Sequence, residues 1–145
     1  MAKRKLADIN SAQITSPNLA EGAFRATFRK QLQGAQEMFV LLPLDSARRV
    51  IGKPLLIGLG AINEVIVDFR GIFASLLSIG AAAFIAAHNH PSGSLNPSPE
   101  DLAVHRRLVD AGELLGLPCL DSLILHPYEG CKSLGMIEPM RARQW

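Results

Sequence analysis

The chain is poor in the residues that would assign it to several large classes. It has two cysteines, Cys119 and Cys131, one tryptophan and one tyrosine in 145 residues. The cysteine spacing fits neither a zinc ribbon nor a redox pair. Cys119 lies in an apolar, strand-like segment, where a reduced, buried thiol is expected. A charge excess is also missing, since the net charge of +2 is too small to argue by itself for a nucleic-acid partner. Basic residues do gather early, at Lys3, Arg4, Lys5, Arg25, Arg29 and Lys30. Lys3-Arg4-Lys5 reads as a solvated, frayed terminus rather than a DNA-binding arm. The longest uncharged run, Gly71 to Ala87, stops short of the ~20 residues a spanning helix needs and carries Gly80 in its middle. No membrane partner is therefore expected. No signal-peptide core follows the basic start, so a cytoplasmic setting is the default.

What is present is an ordinary globular composition, 48% hydrophobic, at a length suited to one domain with a genuine core. Residues 1–16 are polar and expected to be flexible, 17–138 to form the domain, and 139–145 to be an irregular tail. Pro17-Asn18 opens a helical pattern through Leu19, Phe24, Phe28 and Leu32. Residues 37–45 and 50–59 read as an antiparallel pair. Gly52, Pro54 and Gly58 interrupt the second of these, which should bend or sit at an edge. Residues 69–77 place Ile72, Phe73, Leu76 and Leu77 on one buried helix face. A strand over 82–87, a helix over 99–115, and strands over 117–125 and 131–136 complete the pattern. Helices alternating with strands predict an α/β fold, a mixed, curved sheet with helices on both faces in three α-β-α layers.

The chemistry concentrates at His88-Asn89-His90-Pro91-Ser92-Gly93 and at Ser98-Pro99-Glu100-Asp101. On an extended chain alternate side chains share a face, so His88 and His90 point the same way, with Cα atoms roughly 6–7 Å apart. Pro91 and Gly93 then force a turn. Ser98 is a helix N-cap, Pro99 the first helical position, and Asp101 lies in the first turn, where free N–H groups keep a carboxylate ionised. Two imidazoles and a carboxylate with one open position suit a catalytic zinc, whereas a structural site closes all four positions with protein. Fe(II) uses the same ligand types, so the donors alone leave the metal open. A bland alternative makes the first string a polar strand-to-turn junction and the second a well-made cap.

The spacing His88-x-His90, seven residues, Ser98, two residues, Asp101 matches the JAMM (MPN+) zinc metalloprotease motif without a gap. The fuller string resembles the RadC-like JAB branch of that superfamily. Gln36 to Asp45 is similar to the branch's first strand, Arg70-Gly71-Ile72-Phe73 to its Arg-x-Val-Phe helix, and residues 108–118 to its helix-to-strand passage. The likeness covers roughly residues 13 to 138. Two stretches depart from the branch. Residues 56–63 are more apolar than usual, and Glu64 to Phe69 replaces a segment that usually holds a His-Pro pair. The branch's usual N-terminal helix-hairpin-helix is not seen, which implies a stand-alone JAB domain.

The resemblance implies a cytidine-deaminase-like three-layer core, with Zn²⁺ held by His88, His90 and Asp101. It implies Glu37 as the glutamate that deprotonates the zinc water and Ser98 as the serine that stabilises the oxyanion. Glu64 is the rival base, ranked second. Asp121 is a candidate partner orienting a ligand histidine, with a place on the solvent face as the alternative. His105 and His126 read as packing or surface histidines, with lining of the site as the alternative for His105, four residues after Asp101 on the same helix face. The expected activity is zinc-assisted hydrolysis of a peptide or isopeptide bond in a protein or peptide substrate. Alternatives are a DNA-repair-associated or nucleic-acid-interacting accessory protein and a non-catalytic protein-binding module. A zinc nucleobase deaminase would need His-x-Glu and Pro-Cys-x-x-Cys, and Pro118-Cys119 lacks the second cysteine. His-Asn-His is not an HNH nuclease signature, whose named residues are spread through a ββα-metal unit.

Overall fold

The computed structural model describes residues 12–60 and 67–137. Expectations for Lys3-Arg4-Lys5, for Glu64 and for the tail from residue 138 fall outside the described residues. In chain order the elements are α1 (Pro17–Leu32), β1 (Met38–Leu44), β2 (Leu55–Leu59), α2 (Phe69–Ser78), β3 (Ala83–Asn89), α3 (Pro99–Leu115), β4 (Cys119–Leu125), β5 (Cys131–Ser133) and α4 (Leu134–Ile137). The five strands form one sheet in the order β2-β1-β3-β4-β5. β3 runs antiparallel to β1 and parallel to β4, because a seventeen-residue helix returns the chain for a same-direction pairing.

Every residue of β1, β3 and β4 is buried, as strands covered on both faces must be. Their alternate side chains feed two separate cores. Met38, Val40, Leu42 and Leu44 pack with Ile85, Ala87, Leu123 and the α1 residues Ala20, Phe24, Phe28 and Leu32. Phe39, Leu41, Phe84 and Ala86 pack on the other face with Ile72, Phe73 and Leu76 of α2 and Leu108 and Val109 of α3. The three-layer α-β-α architecture expected from the sequence is the one observed.

α1 starts where the Ser16 hydroxyl accepts from the Leu19 N–H and Pro17 fills the first turn. Its Arg25 is buried, yet satisfied: it donates to Glu21 at 2.7 Å and to the carbonyls of His126 and Gly130 at 2.8 and 3.0 Å. That fork ties α1 to the β4–β5 turn. α3 lies close against the start of β4 because Gly112 has no side chain; a Cβ there would come within 2.5 Å of the Leu117 carbonyl oxygen. Gly116 then ends the helix with φ of 67°, the left-handed cap that glycine adopts freely.

The structure differs from the sequence reading at several edges. Packing begins before Pro17: Gln13 bridges Arg49 and Ile14 is buried. The second strand shrinks to Leu55–Leu59, with Val50 making only an isolated bridge to Leu44, because Gly52 turns the chain at φ of 66°. It does lie at the sheet edge, as its glycines and proline foretold. Leu77 is 54% exposed, having fallen off the buried stripe of α2. The strand expected over 131–136 stops at Ser133 and becomes α4, since Asp121 accepts the Gly135 N–H at 2.9 Å and turns the chain. Among the described residues no helix is long and apolar enough to cross a membrane.

Candidate metal centre

β3 carries His88, with His90 just past its last residue, Asn89, and its pairing with β1 ends at Phe39 opposite His88. Phe39 stacks on the His88 ring with an interplanar angle of 14° and centroids 6.5 Å apart, which limits the imidazole's tilt. After β3 the turn through Pro91 and Gly93 closes with a Gly93 N–H bond to the His90 carbonyl. The chain then reaches Ser98, which caps α3 reciprocally. The Ser98 hydroxyl oxygen accepts from the Asp101 N–H at 3.1 Å, and the Asp101 carboxylate accepts from the Ser98 N–H at 2.9 Å. This capping box fixes the carboxylate, and the same carboxylate faces both histidines.

The three side chains converge. His88 Nε2 lies 3.1 Å from His90 Nε2 and 3.1 Å from Asp101 Oδ1, and His90 Nε2 lies 3.1 Å from Asp101 Oδ2. Among the described residues this is the group whose donor atoms could hold a metal ion, all within 4.8 Å of one another. Tetrahedral zinc with bonds of ~2.0–2.1 Å separates its donors by about 3.3 Å, so the spacing fits. The tautomer fits as well. His90 Nδ1 lies 2.9 Å from the Ser94 carbonyl oxygen, a partner to which only an N–H can bond. The Nε2 lone pair is thereby left to face the cluster, as metal-binding histidines require.

Electrostatics point the same way. Burial alone would push the Asp101 carboxyl up, but the facing His88 and His90 side chains and the Ser98 N–H outweigh it and hold it far below the usual carboxylate range. The Asp101 carboxylate in turn raises His90 against burial, with a smaller pull from Glu37. Two imidazoles and a carboxylate held ionised, all converging on one point, suit a cation.

Glu37 is half-buried and immediately precedes β1. By strand alternation it belongs to the face of Phe39 and therefore of His88. Ser98 stands at the α3 cap, and its hydroxyl hydrogen is not consumed by the capping bond. Asp121 is fully buried in β4 and pairs in register with Ile85, three positions before His88. Its carboxylate accepts from Ser133 Oγ and from the N–H groups of Ser122 and Gly135. Those bonds serve the β4–β5 edge and the start of α4. His105 is buried with Nδ1 2.8 Å from Ser122 Oγ, and His126 accepts from the N–H groups of Tyr128 and Glu129 at a turn. His105 lines the cavity shared with His88 and Asp101, whereas His126 sits at the turn after β4. Cys119 is a free, buried thiol whose burial pushes its pKa up to about 12.

Sequence reasoning missed two contributors. The Ser94 carbonyl behind His90 carries no side-chain signal. Asn89, between the histidines, is fully buried and bonded to the backbone beside Glu37; a polar residue at the end of an apolar strand was the available hint.

A three-layer α-β-α domain with a His-x-His strand end and an aspartate at the adjoining helix start defines the JAB/MPN fold with a JAMM-type cluster. The model of the RadC-like JAB domain matches residues 14–138, and the chain belongs to that family. A UPF0758 protein of Cyanothece sp. is 46% identical over 112 residues, covering 77% of this chain and 44% of that protein. One from Trichormus variabilis is 44% identical over 117 residues, covering 81% and 46% respectively. One from Geotalea uraniireducens is 39% identical over 113 residues, covering 78% and 48%. The chain thus spans about half the length of the curated relatives it matches.

Proposed function

We propose that this domain is a zinc-dependent hydrolase of the JAMM type, cleaving a peptide or isopeptide bond in a protein or peptide substrate. The observation that carries the reading is the mutual 3.1 Å approach of His88, His90 and Asp101. His88 and His90 would hold zinc through Nε2, and Asp101 through its carboxylate. When bound, zinc acidifies a coordinated water and polarises the scissile carbonyl. Glu37, on the same face, takes the attacking water's proton on its carboxylate and passes it to the departing amine, a shuttle typically contributing ~10²–10⁴-fold. Ser98 keeps its oxygen in the helix cap and directs its O–H at the developing oxyanion, where one donor is typically worth ~10²–10³-fold in turnover. The two free cysteines suit a reducing compartment, and a cytoplasmic setting is part of the proposal.

Metal analysis tests the centre. The purified, reconstituted chain is expected to hold one equivalent of zinc, and His88→Ala to lose it; unchanged zinc in the variant would overturn the ligand set. A quenched-fluorescence peptide library tests the reaction. Glu37→Gln is expected to keep zinc and to abolish the cleavage the parent shows, and full activity in that variant would remove Glu37 from the mechanism.

A further inference from the structure

The residue between the two histidines has a role of its own. On β3, Asn89 shares a face with Ile85 and Ala87 and so points away from the imidazoles. It is fully buried, where an unpaired amide would be costly. Its Oδ1 accepts from the Met38 N–H at 2.6 Å, and its Nδ2 donates to the Gln36 carbonyl at 3.1 Å. Only one orientation of the amide satisfies both bonds. The backbone ladder between β1 and β3 ends at Phe39 opposite His88. One step further on, the Asn89 side chain stands in for a strand, pairing with an N–H and a carbonyl as a neighbouring backbone would.

The residue straddled by this clamp is Glu37. Gln36 and Met38 are held on either side of it, and the Glu37 carbonyl accepts from the Gly60 N–H at 2.9 Å on the other flank. Without the clamp, the chain at Glu37 would be held on the β2 flank alone, by the Gly60 N–H and the Met38–Leu59 pairing, and its carboxylate would be aimed less closely. We propose that Asn89 is a positioning residue: it extends the sheet by one step through its side chain and thereby aims the Glu37 carboxylate at the His88–His90–Asp101 cluster. This inference rests on the assignment of Glu37 as proton shuttle. It couples the base to the ligand strand, because three consecutive residues, His88 and Asn89 ending β3 and His90 just after it, supply two ligands and the clamp between them.

The test uses the zinc-loaded full chain with Asn89→Ala, Asn89→Asp and Glu37→Gln. Amide exchange and the ¹³C resonance of the Glu37 carboxyl, assigned by its loss in Glu37→Gln, read the clamp without any substrate. Asn89→Ala is expected to exchange the Met38 amide about tenfold or more faster, the usual cost of one lost buried bond. The Glu37 resonance is expected to broaden or move toward the solvated value, while zinc stays at one equivalent and core amides of β3 and β4 stay protected. Asn89→Asp keeps the acceptor for Met38, so its Met38 amide should exchange closer to the parent rate even if Asn89→Ala folds poorly. On the peptide library, turnover in Asn89→Ala is expected to fall ~10²-fold with KM little changed, the effect of a misplaced catalytic group. An unchanged Met38 amide and Glu37 resonance in Asn89→Ala would overturn the inference, even where Glu37→Gln is inactive. Full activity in Glu37→Gln would instead sink the underlying hydrolase reading, whatever the clamp does to the resonance.

Discussion

Asp101 and Asp121 are both buried carboxylates, 4% and 0% exposed, and they face different kinds of partner. Asp121 is met by a hydroxyl and two backbone N–H groups. Each of those donors carries its own hydrogen, so the carboxylate is a terminus that ends a strand and starts a helix. Asp101 has one backbone N–H at its back and two imidazole nitrogens in front. The imidazoles can present lone pairs instead of hydrogens, so the space between all three is a place for a cation. Burial does not separate the two roles; the chemistry of the partners does. A carboxylate surrounded by fixed donors is structural, whereas one facing convertible donors can be functional.

The largest expected effect is on metal at Asp101. Asp101→Asn retains an oxygen for the Ser98 N–H and so keeps the helix cap, but it removes the anionic ligand. Zinc affinity is expected to fall by more than the ~10–100-fold typical of a lost outer partner, measured by competition with a chromophoric chelator. At Asp121 the expected pattern reverses. Asp121→Ala strands the Ser122 and Gly135 N–H groups and the Ser133 hydroxyl, and is expected to cost roughly 2–4 kcal/mol in urea unfolding while zinc remains near one equivalent. A normally stable Asp121→Ala that no longer held zinc would mean that Asp121 supports the centre after all, and the contrast between the two aspartates would fail.

How far the sequence revealed this contrast depended on the range of the signal. α3 was read from its observed start because the cap, the proline and the acids are all local. The triad was equally plain: two histidines on one strand face and an aspartate at a helix start need only short-range geometry to converge. Asp121 was harder, because its partners are Ser133 and Gly135, beyond a turn, and nothing in Leu120-Asp121-Ser122 announces them. The same long-range bond explains why residues 134–136 looked like strand: an apolar segment was captured by a carboxylate thirteen or more positions away. Asn89 escaped notice because its role is to imitate backbone, which no pattern of side chains records. Arg25 likewise reads as a solvent-facing helix residue until the carbonyls of His126 and Gly130 arrive over it.

Glu21 extends the comparison to a third carboxylate, with the smallest expected effect. It accepts from Arg25 Nε at 2.7 Å and from the Gly130 N–H at 3.0 Å, joining α1 to the turn after β4. Burial opposes its ionisation, but the Arg25 guanidinium and the Gly130 N–H prevail and hold its pKa below the ordinary glutamate value. The folded state therefore binds this proton less readily than the unfolded chain does. Where the unfolded state carries more protons, stability rises with pH. The contribution of Glu21 is complete above the unfolded value of ~4.3 and drains away as pH falls through the lower folded value. Urea midpoints between pH 6 and pH 3 should decline more steeply for the parent than for Glu21→Gln, with the two curves approaching each other at the acid end. Parallel curves would show that Arg25 is held by the His126 and Gly130 carbonyls alone, and that Glu21, unlike Asp121, is dispensable to the fold.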